Sequence, residues 1–296
     1  MDPLSLKTRR VYATLSFVAF IIILPIVALY ASGYRLSGFA LVPTGGIHVS
    51  VPVSGVSILL NGEEQERSSL LQKSFFFDTL EPGSYVVQAV SDAHYSWTKT
   101  VFVESRIVTD VSVLAVTRPV RVRELQVEKA LSEAVRFEEE TATTTTRVVS
   151  QDMYDAVVES FLATTTLMRN TASTTPLAVR GVSDTENNIS LVVQNGDLLV
   201  RWEKDGQTPA LFCMRPSVCT AQFLLEEGTE TVVQAEFFAG GALYATKESG
   251  VVFTEIENRQ PVFSIPLYTT PEARFSIYNG TVYIEDAGTY FEVSGF

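Results

Sequence analysis

Cysteine and histidine are scarce in this chain, and their scarcity limits the chemistry that it can carry. The 296 residues include two cysteines, Cys213 and Cys219, and two histidines, His48 and His94. Five residues separate the cysteines, which is neither a C-x-x-C pair nor a zinc spacing, and two distant histidines do not complete a tetrahedral site. We therefore expect no metal centre and no cofactor.

The chain also lacks the short motifs that mark nucleotide-binding and hydrolytic sites. It has no G-x-x-x-x-G-K-S/T loop, no G-x-G-x-x-G loop, no H-E-x-x-H pair and no G-x-S-x-G elbow. Residues 96–99, with the sequence SWTK, fit S-x-x-K, but they fall at the start of a predicted strand rather than at the start of a helix. His48 and His94 are assigned surface or packing roles. The sequence thus predicts a protein that is not an enzyme.

Positive charge is in the minority. The chain has 22 lysines and arginines against 34 aspartates and glutamates, and its net charge is −12. The first ten residues are the exception, since they hold Lys7, Arg9 and Arg10. An acidic body repels phosphate groups, so we expect no nucleic-acid partner, and no contact with an anionic lipid surface outside the basic N-terminus. The same charge also favours solubility.

Charge of either sign is absent from residues 11–33, which read VYATLSFVAFIIILPIVALYASG. At about 1.5 Å per residue this run is long enough to cross a hydrocarbon core of about 30 Å. Basic residues precede it and only Arg35 follows closely, so the positive-inside rule predicts a transmembrane anchor over residues 11–34 that contacts the lipid bilayer. Residues 1–10 then form a cytoplasmic tail, and the bulk of the chain is extracytoplasmic. A cleaved signal peptide is the alternative, although signal peptides usually have an apolar run of only about 7–15 residues.

Cys213 and Cys219 lie in one short loop on either side of Pro216. In an oxidising compartment, cysteines this close in sequence favour a disulfide that clasps the loop. Two free, buried thiols are the alternative. We predict the disulfide, because the anchor places this loop outside the cytoplasm.

Beyond a short stalk over residues 35–44, residues 45–116 hold six short apolar segments separated by polar or glycine-containing breaks. The segments are 47–51, 55–62, 74–80, 84–90, 98–104 and 108–116. Their number and spacing favour a small antiparallel sandwich or barrel. Between the third and fourth segments, Pro82 and Gly83 suit the central positions of a type II turn, which requires a positive φ at Gly83.

The same region carries a recognisable order of motifs. Pro52 precedes a strand that ends in Asn61-Gly62, and Leu80, Pro82, Gly83 and Tyr85 then form a Leu-x-Pro-Gly-x-Tyr corner. This order resembles the PEGA domain, a small β-rich module of bacterial and archaeal envelope and extracytoplasmic proteins. Residues 52–55 read PVSG where the family has Pro-Glu-Gly-Ala, and His94-Tyr95 replaces a Gly-Tyr pair. The resemblance implies a β-sandwich with a structural or binding role, and it brings no catalytic residues.

Residues 117–180 differ from their neighbours in composition and in the spacing of their apolar residues. The segments RVRELQVEKALSEAVRFEEE and SQDMYDAVVESFLA space their apolar residues by three and four, which predicts two short helices, the second capped by Ser150 or Asp152. Threonine runs beside them are typical of solvated linker. Residues 138–140 are three glutamates, which we interpret as a solvated face rather than a calcium site. We interpret the whole segment as a connector with short helices.

Strand patterns return over residues 181–296. Asn195-Gly196 and Asn279-Gly280 each separate two alternating apolar runs, the strongest short hairpin signal. Leu198, Leu243 and Val282 occupy equivalent places at separations of 45 and 39 residues, which matches the length of a propeller blade. These repeats are too few to close a propeller. The sequence predicts an all-β meander domain that is either an incomplete β-propeller or a plain β-sandwich.

The predicted fold class is therefore mainly β, with an N-terminal transmembrane helix, a PEGA-like sandwich, a connector and a C-terminal β domain. The order of these parts resembles membrane-anchored proteins of uncultivated small-genome bacteria. We expect a non-catalytic envelope protein that binds another envelope protein or a polysaccharide, for which Tyr95 and Trp97 are candidates to stack on a sugar ring if they do not pack into the core. The alternative is an accessory subunit of a transmembrane signalling or export complex.

Overall fold

The computed structural model describes residues 6–37, 40–128, 146–170, 188–226 and 230–296. Helix α1 spans Leu6–Ala31 and includes Pro25. Its apolar side chains point outward on all sides and remain exposed. Within the described ranges, α1 is the one helix long and apolar enough to span a membrane. The chain is thus mainly β with an N-terminal helix of the membrane-spanning type.

A hairpin joins α1 to the rest of the protein. Its strands are β1, Tyr34–Ser37, and β2, Ala40–Pro43, which pair antiparallel. The chain leaves the helix at Gly33, whose φ of +79° is in the left-handed region. The backbone N–H of Thr44 donates to the carbonyl of Gly33 at 2.7 Å and closes the base of the hairpin. The interpretation of residues 35–44 as a stalk is therefore corrected: the segment folds back on the end of α1.

The first module, residues 45–116, is a sandwich of two sheets. Its strands are β3 (Gly45–Ser50), β4 (Ser57–Leu60), β5 (Glu63–Arg67), β6 (Ser74–Leu80), β7 (Gly83–Val90), β8 (Trp97–Val103) and β9 (Val108–Ser112). One sheet has the order β6-β3-β9 and the other the order β5-β4-β7-β8. Apolar residues of both sheets, among them Ile47, Val49, Ile58, Val87 and Val101, meet in a shared core. The predicted sandwich is confirmed, with one parallel pair, β3 and β9.

Strand β5 has no strand pattern in its sequence and was not among the predicted segments. Its residues, EEQER, are all exposed, so it has neither the alternation nor the composition of a strand. It forms because Asn61 and Gly62, with φ of 52° and 87°, make a tight turn that returns the chain along β4. The charged side chains then protect an edge of the sheet from pairing with other chains.

The corner at Pro82 and Gly83 has a different conformation from the predicted one. Gly83 is not among the positive-φ residues; it is the first residue of β7, and an added Cβ would meet only the carbonyl of Glu81 at 4.0 Å. The left-handed residue is Thr79, with a φ of 62°. The direction of the chain changes before Pro82, and the hydroxyl of Tyr85 donates to the carbonyl of Glu81 at 3.0 Å to hold the corner.

The second module contains three stacked sheets. Its strands are β10 (Arg121–Val127), β11 (Thr146–Val149), β12 (Ile189–Gln194), β13 (Asp197–Trp202), β14 (Cys213–Arg215), β15 (Val218–Cys219), β16 (Gln222–Glu226), β17 (Val232–Phe238), β18 (Gly241–Thr246), β19 (Gly250–Glu255), β20 (Ser264–Tyr268), β21 (Arg274–Tyr278), β22 (Thr281–Asp286) and β23 (Thr289–Ser294). The sheets have the orders β12-β13-β16, β17-β18-β19-β20 and β11-β10-β23-β22-β21, and β14 pairs with β15 in a small hairpin. The predicted hairpin turns are confirmed, with positive φ at Asn195, Gly196, Asn279 and Gly280.

The middle sheet of the second module is covered on both faces. Every residue of β18 is buried. Ala242 and Tyr244 face the core shared with the first sheet, whereas Leu243 and Ala245 face the core shared with the third. Since neighbouring residues of a strand point to opposite faces, the sheets stack in chain order as three layers.

Part of the predicted connector belongs to this module. The first predicted helix is wrong over residues 121–127, which form β10 and pair antiparallel with β23; residues 129–145 lie outside the described residues. The second helix is confirmed as α2, Gln151–Asn170, and Ser150 caps it by accepting the N–H of Met153 at 3.4 Å. Val157 and Phe161 of α2 pack on Leu125 and Tyr283 of the third sheet.

Candidate functional site

The most constrained group of polar side chains lies where the two modules meet. Along β8, the side chains of residues 97, 99, 101 and 103 all point inward. Three of these are apolar, but the fourth is Lys99, which is completely buried. A lysine is rarely buried unless it is paired, so its environment decides what this junction does.

The ammonium of Lys99 is held by three acceptors from the second module. It donates to the Oε1 of Glu255, to the carbonyl of Arg259 at 2.9 Å and to the carbonyl of Pro261 at 2.7 Å. An ammonium has three N–H donors, so all of them are used. Between the modules, the backbone N–H of Thr100 also donates to the carbonyl of Gln260 at 3.0 Å.

Glu255, at the end of β19, is the centre of this network. Its Oε2 accepts the indole N–H of Trp97 at 2.7 Å, and its Oε1 accepts the backbone N–H of Phe263 at 2.7 Å in addition to Lys99. Only 5% of Glu255 is exposed. Both carboxylate oxygens have partners, so the charge is compensated by hydrogen bonds as well as by the ammonium.

Arg259 adds a second tie between the modules. Its guanidinium forms a bidentate pair with Glu257, with Nε–Oε1 and Nη2–Oε2 distances of 2.9 and 2.7 Å. The remaining Nη1 donates to the carbonyl of Asp110 in β9 of the first module at 2.9 Å. Bidentate pairing fixes the plane of the guanidinium, and Arg259 therefore holds β9 in a defined position.

Burial sets the electrostatics of Lys99. The loss of water lowers the pKa of Lys99 below its ordinary value of 10.5, and the negative charge of Glu255 opposes that shift without cancelling it. Below pH 10.5 the unfolded chain therefore binds the proton more firmly than the folded chain does. The contribution of Lys99 to stability rises as the pH is raised from its folded pKa towards 10.5.

The disulfide loop also lies at this junction. The structure joins Cys213 and Cys219 in a disulfide, in the hairpin of β14 and β15. In the same hairpin, the hydroxyl of Ser217 donates to Glu104 of the first module at 2.5 Å. The guanidinium of Arg215 lies 4.2 Å from the ring centroid of Phe102. The loop is thus a contact between modules as well as a local clasp.

Trp97 is not available to stack on a sugar ring. It is 1% exposed and its indole N–H is occupied by Glu255, so it packs into the core, which was the alternative interpretation. Tyr95 is half-buried: it packs against the core that the middle and third sheets of the second module share, and it also lines a surface cavity.

His48, for which a surface or packing role was predicted, has two polar neighbours in the structure. Its Nδ1 lies 2.9 Å from Oδ1 of Asp110, and its Nε2 lies 2.5 Å from Oγ of Ser74. Strand β3 is paired with β6 on one side and β9 on the other, which places the three side chains side by side on the outer face. This order of hydroxyl, imidazole and carboxylate is that of a serine nucleophile with its base. The side chains of His48 and Asp110 are 38% and 68% exposed, so this group lies on the open surface of the sheet.

The junction was missed because its partners are far apart in sequence. Lys99 and Glu255 are 156 residues apart, and no short motif connects them. One local signal was present: in the strand WTKTVFV, Lys99 occupies an inward position between Trp97 and Val101. A charged residue in such a place indicates a buried partner.

Histidine, cysteine and carboxylate side chains do not gather in groups of three or more that could hold a metal ion anywhere in the described part of the chain. Comparison of the chain with protein-family models, with curated proteins and with solved structures gave no match.

Proposed function

We propose that this protein is a membrane-anchored, extracytoplasmic envelope protein that acts without catalysis, by holding a rigid pair of β modules at the membrane surface for another envelope protein to bind. Helix α1 is its anchor, with the N-terminus in the cytoplasm. We take the first module to be PEGA-like and the second to be an incomplete propeller, a proposal that the stacking of its three sheets supports. Strand β10, from the start of the second module, pairs with β23 at its end.

The observation that carries this proposal is the buried junction. Lys99, Glu255 and Arg259, all at most 5% exposed, tie the modules together through hydrogen bonds that a reorientation of the modules would break. A hinge between domains that closes on a substrate needs exposed, adaptable contacts. A fully satisfied buried network instead supports a fixed shape, and a fixed shape suits a scaffold.

A turn in the first module has the properties of a protein-binding surface. Leu70 and Leu71 are 83% and 99% exposed. They are presented by an ordered turn, because the N–H of Ser69 donates to the carbonyl of Gln72 at 2.9 Å and the N–H of Gln72 donates to the hydroxyl of Ser69 at 3.1 Å. Exposed leucines on a fixed turn favour a protein partner over a polysaccharide. We call residues 69–72 the leucine turn.

The leucine turn lies at the far end of the first module from the membrane anchor. Lys73, which follows it, donates to the carbonyl of Pro52 at 2.8 Å, beyond the end of β3. Strand β3 begins at Gly45, beside the base of the hairpin that joins α1. Six residues of strand span about 20 Å, so the turn projects away from the helix.

Site-specific photocrosslinking in intact cells tests the proposal. A photoreactive residue at Gln72 should form an adduct with one envelope protein, and the same residue at Asp205, an exposed position of the second module, should not. In the Leu70→Ser, Leu71→Ser double variant, the Gln72 adduct should fall by about tenfold, because the apolar contact is lost. Equal adducts at both positions, or an adduct indifferent to the leucines, would contradict the proposal.

Two further experiments separate the rival functions. A photoreactive residue at Ile22 of α1 that captures a polytopic membrane protein, with nothing captured at Gln72, would favour an accessory subunit of a transmembrane complex. A fluorophosphonate probe tests catalysis, since it labels a serine that a base has activated. We expect no label on Ser74. Labelling of Ser74 that disappears in His48→Ala would show that His48 activates Ser74 as a nucleophile, and would overturn the non-catalytic proposal.

A further inference from the structure

A cavity of about 390 Å³ lies where the end of α1 meets the first module. Its lining includes two tyrosines and one arginine from the helix end and hairpin, namely Tyr30, Tyr34 and Arg35, and Phe76 and Arg106 from the first module. The size is within the range of small-ligand sites. Both arginines are outside the helix, on the side of the membrane that holds the β modules.

Arg106 is held in an unfavourable backbone conformation at this cavity. Its φ of 62° is in the left-handed region, where glycine or asparagine is the usual residue. The N–H of Arg106 donates to the carbonyl of Thr44 at 2.7 Å, which fixes the turn against the base of the hairpin. Backbone strain of this kind is concentrated at functional sites, where the identity of the side chain is required for binding or catalysis.

The side chain of Arg106 lies along the end of the helix. The Cγ of Arg106 lies 3.4 Å from the place that a Cβ on Gly33 would occupy, an ordinary van der Waals distance, so the arginine packs against the end of the helix. The guanidinium lies 6.0 Å from the ring centroid of Tyr34. On the other side, the guanidinium of Arg35 lies 5.9 Å from the ring centroid of Tyr30.

Among the described residues, neither of these two cations has an ion-pair partner. The ion pairs within 4 Å that the described residues form do not involve Arg35 or Arg106. One carboxylate, Asp78, also lines the cavity. Two guanidinium groups against one carboxylate leave a positive local charge in a protein whose net charge is −12.

The position of the cavity indicates which anion neutralises its positive charge. Helix α1 ends at Ala31, so Tyr30 and Tyr34 occupy the level at which tyrosines anchor a spanning helix. Around the same level Leu36, Leu41 and Phe76 are 72%, 50% and 57% exposed. Apolar side chains beside a helix end contact the boundary between acyl chains and headgroups, where the surrounding anions are lipid phosphates.

We propose that this cavity binds the phosphate of an anionic phospholipid headgroup, with Arg35 and Arg106 as the two donors. Guanidinium groups recognise phosphate oxygens through paired N–H donors. The bound lipid would fix the first module relative to the membrane surface. This inference rests on the proposed function only in that α1 spans the bilayer, and it departs from the expectation that the acidic body avoids anionic lipid.

Native mass spectrometry of the full chain tests the proposal. Protein released from mixed micelles with equal phosphatidylglycerol and phosphatidylcholine should retain one phosphatidylglycerol. Arg35→Gln and Arg106→Gln should each lower the retained fraction about tenfold, the effect of losing a charged hydrogen bond. Arg67→Gln, in the exposed edge strand β5, is the matched control and should not change retention.

Arg106→Gly separates a ligand role from a structural one. Glycine relieves the left-handed strain, so this variant should melt at the same or a higher temperature and yet lose the lipid. Retention of lipid by this variant, or by both glutamine variants, would overturn the proposal, as would displacement of the lipid by millimolar inorganic phosphate, which would identify a site for free phosphate.

Membrane integration, measured by resistance to alkaline carbonate extraction, keeps this test independent of the proposed function. Wild type that is extracted by carbonate would contradict the anchor, and with it the proposed function. Wild type that resists extraction but retains no phosphatidylglycerol would overturn the lipid site and leave the anchor intact.

Discussion

Lys99 and Glu255 form a charged pair in a place that water does not reach. Removing water from two charges costs several kcal/mol per ion, and only good geometry with further hydrogen bonds repays it. Here the ammonium has three acceptors and the carboxylate has three donors, including the indole of Trp97. The pair therefore fixes the geometry of the junction rather than adding much stability. Removing one partner should lower the free energy of unfolding by more than replacing both partners does.

A double-mutant cycle measures that difference. Lys99→Met leaves Glu255 charged and unpaired, and should lower the free energy of unfolding by about 3–5 kcal/mol. Adding Glu255→Gln removes the unpaired charge, and the double variant should recover about half of that loss. Urea unfolding of a chain that begins at Gly45 provides the values; additive effects of the two changes would show that the residues do not interact.

Glu236, in the middle sheet, and Glu248, in the turn between β18 and β19, should change stability with pH in opposite directions. Burial raises the pKa of Glu236 above 4.5, and the hydrogen bond from Gln234 only partly offsets it. At pH values above the pKa that Glu236 has in the folded protein, its ionised carboxylate therefore lowers the stability of the fold. Glu236→Gln should raise the melting temperature at pH 7, and the gain should disappear as the pH falls to about 4.

Glu248→Gln is the matched control. The backbone N–H of Thr231 donates to Glu248 at 2.7 Å and lowers the pKa of this carboxyl. The ionised form is then favoured in the folded state, so the variant should melt lower at pH 7 and should match the wild type well below pH 4.5. A rise in melting temperature for both variants would contradict these assignments.

Thr79 and Gly83 give a prediction about the corner of the first module. The strain of about 1 kcal/mol or more lies at Thr79, which is β-branched and left-handed. Thr79→Gly should therefore be neutral or stabilising by up to about 1 kcal/mol. Gly83→Ala should not destabilise, because the new Cβ has room. Thermal unfolding distinguishes the two positions. If Gly83→Ala lowered the free energy of unfolding by more than about 1 kcal/mol, Gly83 would have a positive φ after all.

Among the secondary-structure elements, those with a strong local signal were predictable from the sequence. The Asn-Gly hairpins and α2 depend on residues next to one another, and both were confirmed. Strands β5 and β10 were not predictable in this way. The charged β5 is a strand because a turn and a neighbouring strand impose it, and β10 pairs with β23, about 170 residues further along the chain. Pairing over such distances leaves no periodicity in the local sequence.

The role of β10 can be tested by comparing two fragments of the second module that begin at different residues. A fragment of residues 181–296, the predicted domain, lacks β10, β11 and α2, and so exposes the edge of β23 and the side chain of Tyr283. It should aggregate or unfold without cooperativity, whereas residues 119–296 should be soluble and fold. Size-exclusion chromatography and circular dichroism report both properties. A cooperative, monomeric 181–296 fragment would show that β10 is dispensable.

For the whole molecule, two modules that the sequence separates behave in the structure as one body. Hydrogen bonds cross the predicted boundary at residue 117: from Lys99 in β8, from Arg259 to the backbone of β9, and from the disulfide loop. Polar contacts between modules leave no trace in composition, since they depend on single residues at distant positions. The class of fold could therefore be predicted, while the junction and the leucine turn could not.

Calorimetry of the chain that begins at Gly45 tests most directly the claim that the two modules form one rigid unit. If the buried junction couples them, heating should give a single transition whose calorimetric and van't Hoff enthalpies agree. Lys99→Met, which breaks the network, should split that transition into two. Two well-separated transitions in the unaltered protein would contradict the account, because modules that melt independently do not form a rigid scaffold.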